Sequence, residues 1–456
     1  MGDNMIGFDY GTSNCAVGVM EHGQPKIVNL PAHGTLMPST LYSPDRDIIV
    51  SWLYAQLTPS VQQAFKTLRM LSMQKGQKAL RELALDGLSS ELSFGQQALA
   101  NYLEEPEEGY YIKSPKSFLG ASGLKQPQID LFEDIVAAMM SHVKQQVESS
   151  LGREVNQTVI GRPINFQGLK GEESNQQAIA ILTNAAKRVG FSSIEFQYEP
   201  VAAGFEYEAS LSTDKRVLVV DIGGGTTDCS MILMGPAYID SDDRSKQLLA
   251  HSGERIGGND FDIQLAFRGL MPNLGATSQL KSGKPMPTNS YWQAVAINNI
   301  NEQTAFYSAA NGRHLDMLQR DAEHPELVSR LIKLYREKLS YQLVNSAENA
   351  KISLSTQPSN TVDLSYIEHA LMQTLSIEGF QQACEKELQA IGRLMQDCVR
   401  QAGCQPDVVF VTGGTAKSTV ISQYIEQQFQ GVELVIGDHF GSVTAGLTRW
   451  AERIFK

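Results

Sequence analysis

The chain has few cysteines and no pairing pattern among them. Cys15, Cys229, Cys384, Cys398 and Cys404 show no C-x-x-C spacing. An odd count with no secretory signal fits a reducing compartment, so a cytoplasmic location is expected. The N-terminus enters a strand within a few residues, leaving no n-region or h-region. Gly2 is followed at the sixth position by Ile6, not Ser or Thr, so the myristoylation pattern fails. No apolar run reaches the roughly 18 residues of a spanning helix, and no membrane association is expected. His22, His33, His142, His251, His314, His324, His369 and His439 lack ligand spacing, which argues against a zinc site. Positive charge is short as well. Lysine and arginine number 38 against 50 acidic residues, a net charge of −12. That disfavours a non-specific nucleic-acid binder, which needs a basic face.

What is present is a core and a repeated motif. The 456 residues are 42% hydrophobic, enough for about three domains on the length prior. Two segments carry one pattern: Met5 to Cys15 and Val217 to Cys229. Each is an apolar run, then Asp-x-Gly, then hydroxyl-rich residues, then a second apolar run. Each reads as a β-hairpin whose glycines supply the positive φ that tight turns need. Glycine also leaves backbone N–H groups open to a phosphate. Thr12, Ser13, Thr226 and Thr227 offer hydroxyls. Asp9 and Asp221, at the strand ends, are hard oxygen ligands suited to Mg²⁺ through its retained waters. One Asp-x-Gly alone reads equally well as a plain hairpin turn. Two copies suggest two related lobes facing each other across an ATP-binding cleft.

Between the motifs, strands alternate with helices, which predicts α/β lobes. Helices are expected near 58–86 and 94–103, and over Ile129–Ser149, Ser174–Val189, Val201–Ser210, Leu331–Leu354 and Ile377–Gly403. Further helices are expected over Ser418–Gln428 and Ser442–Phe455. Strands are expected over Gln157–Gly161, Phe191–Gln197 and Asp407–Val411. Residues 269–328 show no clean period and read as an insertion on the second lobe.

Six segments in order resemble one family: IGFDYGTSNC (6–15), QYEPVAAG (197–204), VVDIGGGTTDCS (219–230), GERIGGNDFD (253–262), AENAKISLS (347–355) and VTGGTAKS (411–418). The chain resembles the actin-like ATPase domain of DnaK-type heat-shock chaperones, and more closely the short YegD-type chaperones. The resemblance covers nearly the whole chain outside roughly 38–110 and 269–328. It implies a two-lobed fold of mixed sheets flanked by helices. Lobe I would be 1–215 plus 436–456, with an insertion at about 38–128. Lobe II would be 216–435, with an insertion at about 263–345.

The resemblance also implies roles. Asp9 and Asp221 would hold the waters of the metal. Gly11, Thr12, Ser13 and Asn14 would cradle phosphates from one lobe, and Gly223, Gly224, Gly225, Thr226 and Thr227 from the other. Glu199 would sit near the attacking water, Thr226 near the terminal phosphate, and Asp228 by the metal. Glu348, Lys351 and Ser355 would lie by the ribose and base. Gly413, Gly414, Thr415 and Lys417 would form a loop against the nucleoside. Blander readings stand beside these. Glu199 before Pro200 can simply start a helix. Glu348 and Lys351 can be a surface pair. Gly413-Gly414 can be a plain strand-to-helix loop.

The chain departs from the family at four points. A family lysine that neutralises the terminal phosphate has no counterpart in Phe94 to Leu99; Lys113 or Lys116 is a substitute, although Lys116 matches a different family lysine. Lys417 stands where an arginine is common, losing a planar stacking surface. Ile352 follows Lys351, where some members have arginine. No peptide-binding half follows Lys456, so peptide clamping is not expected. The resulting expectation is Mg-ATP binding with slow hydrolysis to ADP, and lobe closure read by a partner or client protein. The alternatives are a nucleotide-retaining adaptor without hydrolysis, a polymerising cytoskeletal ATPase and a small-molecule kinase.

Overall fold

The computed structural model describes residues 4–104, 109–166, 170–239, 246–437 and 441–456. Gly2 and His439, considered above, lie outside the described residues. The chain divides into two compact units. The first comprises Met1–Arg255, Arg393–Ala416 and Phe429–Lys456; the second comprises Ile256–Gly392 and Lys417–Gln428.

The first unit contains the same sheet twice. One copy uses β1 (Met5–Tyr10), β2 (Asn14–Glu21) and β3 (Gln24–Ile27), with a short β4 (Met37–Pro38) beside β2. Next in the chain come β5 (Thr40–Ser43), β6 (Ser93–Phe94) and β7 (Tyr110–Lys113), which form a small separate sheet. Strands β8 (Gln157–Arg162) and β9 (Ser193–Tyr198) complete the first large sheet in the order β3-β2-β1-β8-β9. The second copy comprises β10 (Lys215–Ile222), β11 (Thr227–Met234), β12 (Leu248–Glu254), β13 (Val408–Thr412) and β14 (Glu433–Ile436). Its order is β12-β11-β10-β13-β14. In both sheets the first three strands are antiparallel and the last two join in parallel. These mixed sheets flanked by helices are the architecture expected from the sequence, and they are consistent with an actin-like ATPase fold.

Strands β1 and β10 are buried nearly end to end. That explains their continuous apolar runs, which mark strands covered on both faces. The helices Glu199–Glu208 and Ser442–Phe455 pack with both sheets around Val159, Val217, Val219, Ile232, Phe410 and Leu447. Their approach is close: a Cβ on Gly446 would fall 1.7 Å from the Ala202 carbonyl oxygen. Only glycine permits that crossing.

The sequence reading needs four corrections, chiefly in the second unit. Residues 269–328 are largely helical: Asn289–Val295, Ile300–Phe306, Ala309–Asp321 and the start of Pro325–Arg336. Most of these helices are too short for a period to stand out from one sequence. The helix expected over 331–354 is two, Pro325–Arg336 and Ser340–Ser353, broken where Lys338 adopts φ +50°. The helix expected over 377–403 is likewise divided, into Ile377–Ala383 and Glu385–Ala402. A hairpin, Ser359–Asp363 with Met372–Ser376, was not anticipated.

Candidate functional site

Both Asp-x-Gly hairpins form as read. In the first, Asp9 pairs with Ala16 and Tyr10 with Cys15 across the turn Gly11-Thr12-Ser13. In the second, Asp221 pairs with Asp228 and Ile222 with Thr227, and the turn is closed by the Gly223 N–H donating to the Thr226 carbonyl at 2.9 Å. Gly11 to Asn14, Gly223 and Gly224 are partly exposed. The two turns touch. A Cβ on Gly224 would lie 2.0 Å from Ser13 Oγ and 3.2 Å from its backbone nitrogen. Two Asp-x-Gly turns therefore meet within one compact unit.

Each central strand has a parallel neighbour whose end abuts a carboxylate. At Gly161, near the end of β8, a Cβ would fall 3.2 Å from Glu199 Cγ. Gly413 follows β13 with φ +89°, and a Cβ there would fall 2.8 Å from Asp221 Oδ1. The Thr415 hydroxyl donates to the Gly223 carbonyl at 3.2 Å, tying this loop to the second turn. Gly414, Thr415, Ala416 and Lys417 form a single 3₁₀ turn.

Around these turns stand four carboxylates and one ammonium. Asp221 and Asp228 are buried, Asp9 and Glu199 partly so. The Ile164 N–H donates to Asp228 Oδ1 at 2.9 Å. Glu199 is the first residue of its helix, and Pro200 occupies the first turn, so the helix-starting reading also holds. Its carboxylate accepts from Lys116 Nζ, which also donates to the Gly161 carbonyl at 3.3 Å. Lys116 is only 3% exposed.

The crowding shows in the acidities. Loss of solvent first, and the Glu199 charge second, push Asp9 up to about 7, with Lys116 opposing. Burial and then Glu199 push Asp228 up to about 8 against the Ile164 N–H, the Thr226 hydroxyl and Lys116. Asp221 is raised well above the carboxylate range by burial, Glu199, Asp228 and Asp9 in that order. A site with this excess of negative charge favours a cation. The donor set is all hard oxygen and suits a Mg²⁺-type ion held through water. Among the described residues no three His, Cys, Asp or Glu side chains are grouped as direct ligands.

The sequence-predicted residues fall into two sets. Asp9, Gly11 to Asn14, Glu199, Asp221, Gly223 to Asp228 and Gly413 to Thr415 lie in the first unit. Glu348, Lys351, Ser355 and Lys417 lie in the second. There Lys351 Nζ pairs with Asp262 at 2.7 Å and donates to the Gly258 carbonyl at 3.2 Å. Burial opposes its charge, but Asp262 and Glu348 outweigh it and hold its pKa above the ordinary lysine value. Ser355 Oγ donates back to the Lys351 carbonyl at 3.3 Å.

The sequence left Lys113 and Lys116 open as substitutes for the family lysine, and Lys116 is the one bonded to Glu199. The stretch Phe94 to Leu99 holds no lysine, yet the structure supplies one at the carboxylates from the turn after β7. The signal was there, in the Lys113-Ser114-Pro115-Lys116 stretch, but spacing alone did not say which lysine turned inward. Ser39 was missed altogether. Its hydroxyl donates to the Gly11 carbonyl at 2.7 Å, and its N–H donates to the Ser13 carbonyl at 2.8 Å.

Residues 127–271 match the family model for Hsp70 protein. The chain is similar to the chaperone protein dnaK of Cyanidioschyzon merolae (strain NIES-3377 / 10D), 24% identical over 360 residues, covering 75% of this chain and 53% of that protein. It is similar also to the chaperone protein dnaK of Emiliania huxleyi, 22% identical over 438 residues, covering 93% of this chain and 56% of that protein. The chain thus spans about half the length of these curated relatives. The chain is thus similar to Hsp70 proteins, through one matched segment and two distant relatives.

Proposed function

We propose that the chain binds Mg-ATP at the paired hairpins and hydrolyses it slowly, as a YegD-type, chaperone-like ATPase of the cytoplasm. One observation carries this reading: two Asp-x-Gly turns in contact, Gly224 against Ser13, beside four carboxylates and a buried lysine. In it, Gly11 to Asn14 and Gly223 to Thr227 donate to phosphate oxygens. Asp9 and Asp221 hold the hydrated cation, with Asp228 beside them. A bound Mg²⁺ supplies charge neutralisation at the phosphates. Glu199 positions the attacking water, Thr226 stands by the terminal phosphate, and Lys116 offsets the charge that develops there. Catalysis of this kind is mostly positioning and electrostatics.

In the same proposal, Glu348, Lys351, Ser355, Gly413, Gly414 and Lys417 meet the nucleoside. The lobes keep the boundaries inferred from the sequence. ATP bridging both hairpins favours their closed arrangement through differential contacts. A partner or client protein reads that closure, and the helical segment 269–328 is its candidate surface. Single-turnover hydrolysis by wild type and Glu199→Gln tests the chemistry. Slow wild-type turnover that the variant largely loses supports the reading. Equal rates reject the water-positioning role. Tight binding with no turnover favours the adaptor, and ATP-dependent sedimentation favours the filament.

A further inference from the structure

The first turn is held by one residue outside it. Ser39 is 1% exposed and follows the short strand β4. Its hydroxyl donates to the Gly11 carbonyl at 2.7 Å, and its N–H donates to the Ser13 carbonyl at 2.8 Å. Cys15 Sγ lies 3.5 Å from the same hydroxyl. The Ser39 carbonyl accepts from the Ser114 N–H at 2.8 Å. Ser114, at φ +57°, stands at the head of the turn that carries Lys116. Ser39 is therefore fixed from both sides, bridging the phosphate-type turn and the lysine turn.

A trans peptide is planar, so the carbonyl of one residue and the N–H of the next point in opposite directions. Clamping the Gly11 carbonyl aims the Thr12 N–H away from Ser39. Clamping the Ser13 carbonyl does the same for the Asn14 N–H. We propose that Ser39 is a positioning residue that presets the Thr12 and Asn14 amides as phosphate donors. This rests on the reading of the first turn as a phosphate site. Without the hydroxyl, the Gly11–Thr12 peptide can rotate, and each nucleotide bound must first reorder it. The backbone bond from Ser39 to Ser13 survives substitution, so the Thr12 amide should suffer more than that of Asn14.

The test uses the full chain, Mg-ATP and two readouts. In wild type, saturating Mg-ATP should shift the Thr12 and Asn14 amide protons downfield in NMR spectra. Ser39→Ala should bind Mg-ATP about tenfold more weakly, the scale of one hydrogen bond. Its nucleotide-free melting should change little, and its Thr12 amide should exchange faster before nucleotide is added. Saturable wild-type binding with an unmoved Thr12 amide overturns the proposal and needs no variant. Ser39→Ala with affinity within twofold of wild type overturns it too. Absence of wild-type binding instead overturns the phosphate-site reading itself.

Discussion

The Lys116 ammonium is bonded to the Glu199 carboxylate and acts on three further acids, Asp9, Asp221 and Asp228, whose pKa values it pulls down. Among the described residues it is the cation that opposes the upward shift of all three groups. Replacing it with Gln should therefore damage turnover more than affinity. A loss of about 10²–10³ in single-turnover rate is expected, the scale of one preorganised charge-stabilising group. Binding titrations beside the rate measurement check the split. Unchanged turnover would show that Lys116 only balances Glu199.

Asp221 is 5% exposed, at a strand end, and the carboxylates of Glu199, Asp228 and Asp9 all act on it. Asp221→Asn should weaken Mg-nucleotide binding while leaving the nucleotide-free protein at least as stable, because repulsion is relieved. Thermal melts without ligand decide the second half. A large drop in melting temperature would make Asp221 structural.

Stability should also depend on pH. Asp9 and Asp228 rise from an ordinary 3.8 to about 7 and about 8 in the folded chain. The folded state then holds protons that the unfolded chain has already released. Their stabilising contribution is full below the unfolded value and is lost as pH rises through the folded values. Nucleotide-free melting temperature should fall between about pH 5 and pH 8.5. Stabilisation by Mg-ATP should grow over the same range as the carboxylates ionise. Asp228→Asn should flatten the nucleotide-free slope; an unaltered slope would assign it to other groups.

Both hairpins of the candidate site were legible in the sequence because they depend on local chemistry. Asp-x-Gly with flanking apolar runs specifies a hairpin and its turn, and both formed at the residues read. Pro200 marked the helix carrying Glu199. What was not legible depends on long-range placement. Lys116 reaches Glu199 from a different part of the chain, and Ser39 reaches Gly11 from beyond the first hairpin. Neither contact leaves a local pattern. The break at Lys338 is a single left-handed residue inside an otherwise helical period, which periodicity overlooks. The short helices of 269–328 bury Tyr291, Phe306 and Leu315 but supply too few turns each to register. The duplicated sheet order was hinted at by the repeated motif, but its last strand, β14, carries little signal of its own.

Two touching turns and their carboxylates are proposed to form a Mg-nucleotide site. Isothermal calorimetry on the folded, nucleotide-free chain tests this proposal directly. Saturable heat with Mg-ATP is expected, weakened when magnesium is chelated and in Asp221→Asn. No heat at millimolar Mg-ATP, on protein shown to be folded, would contradict it.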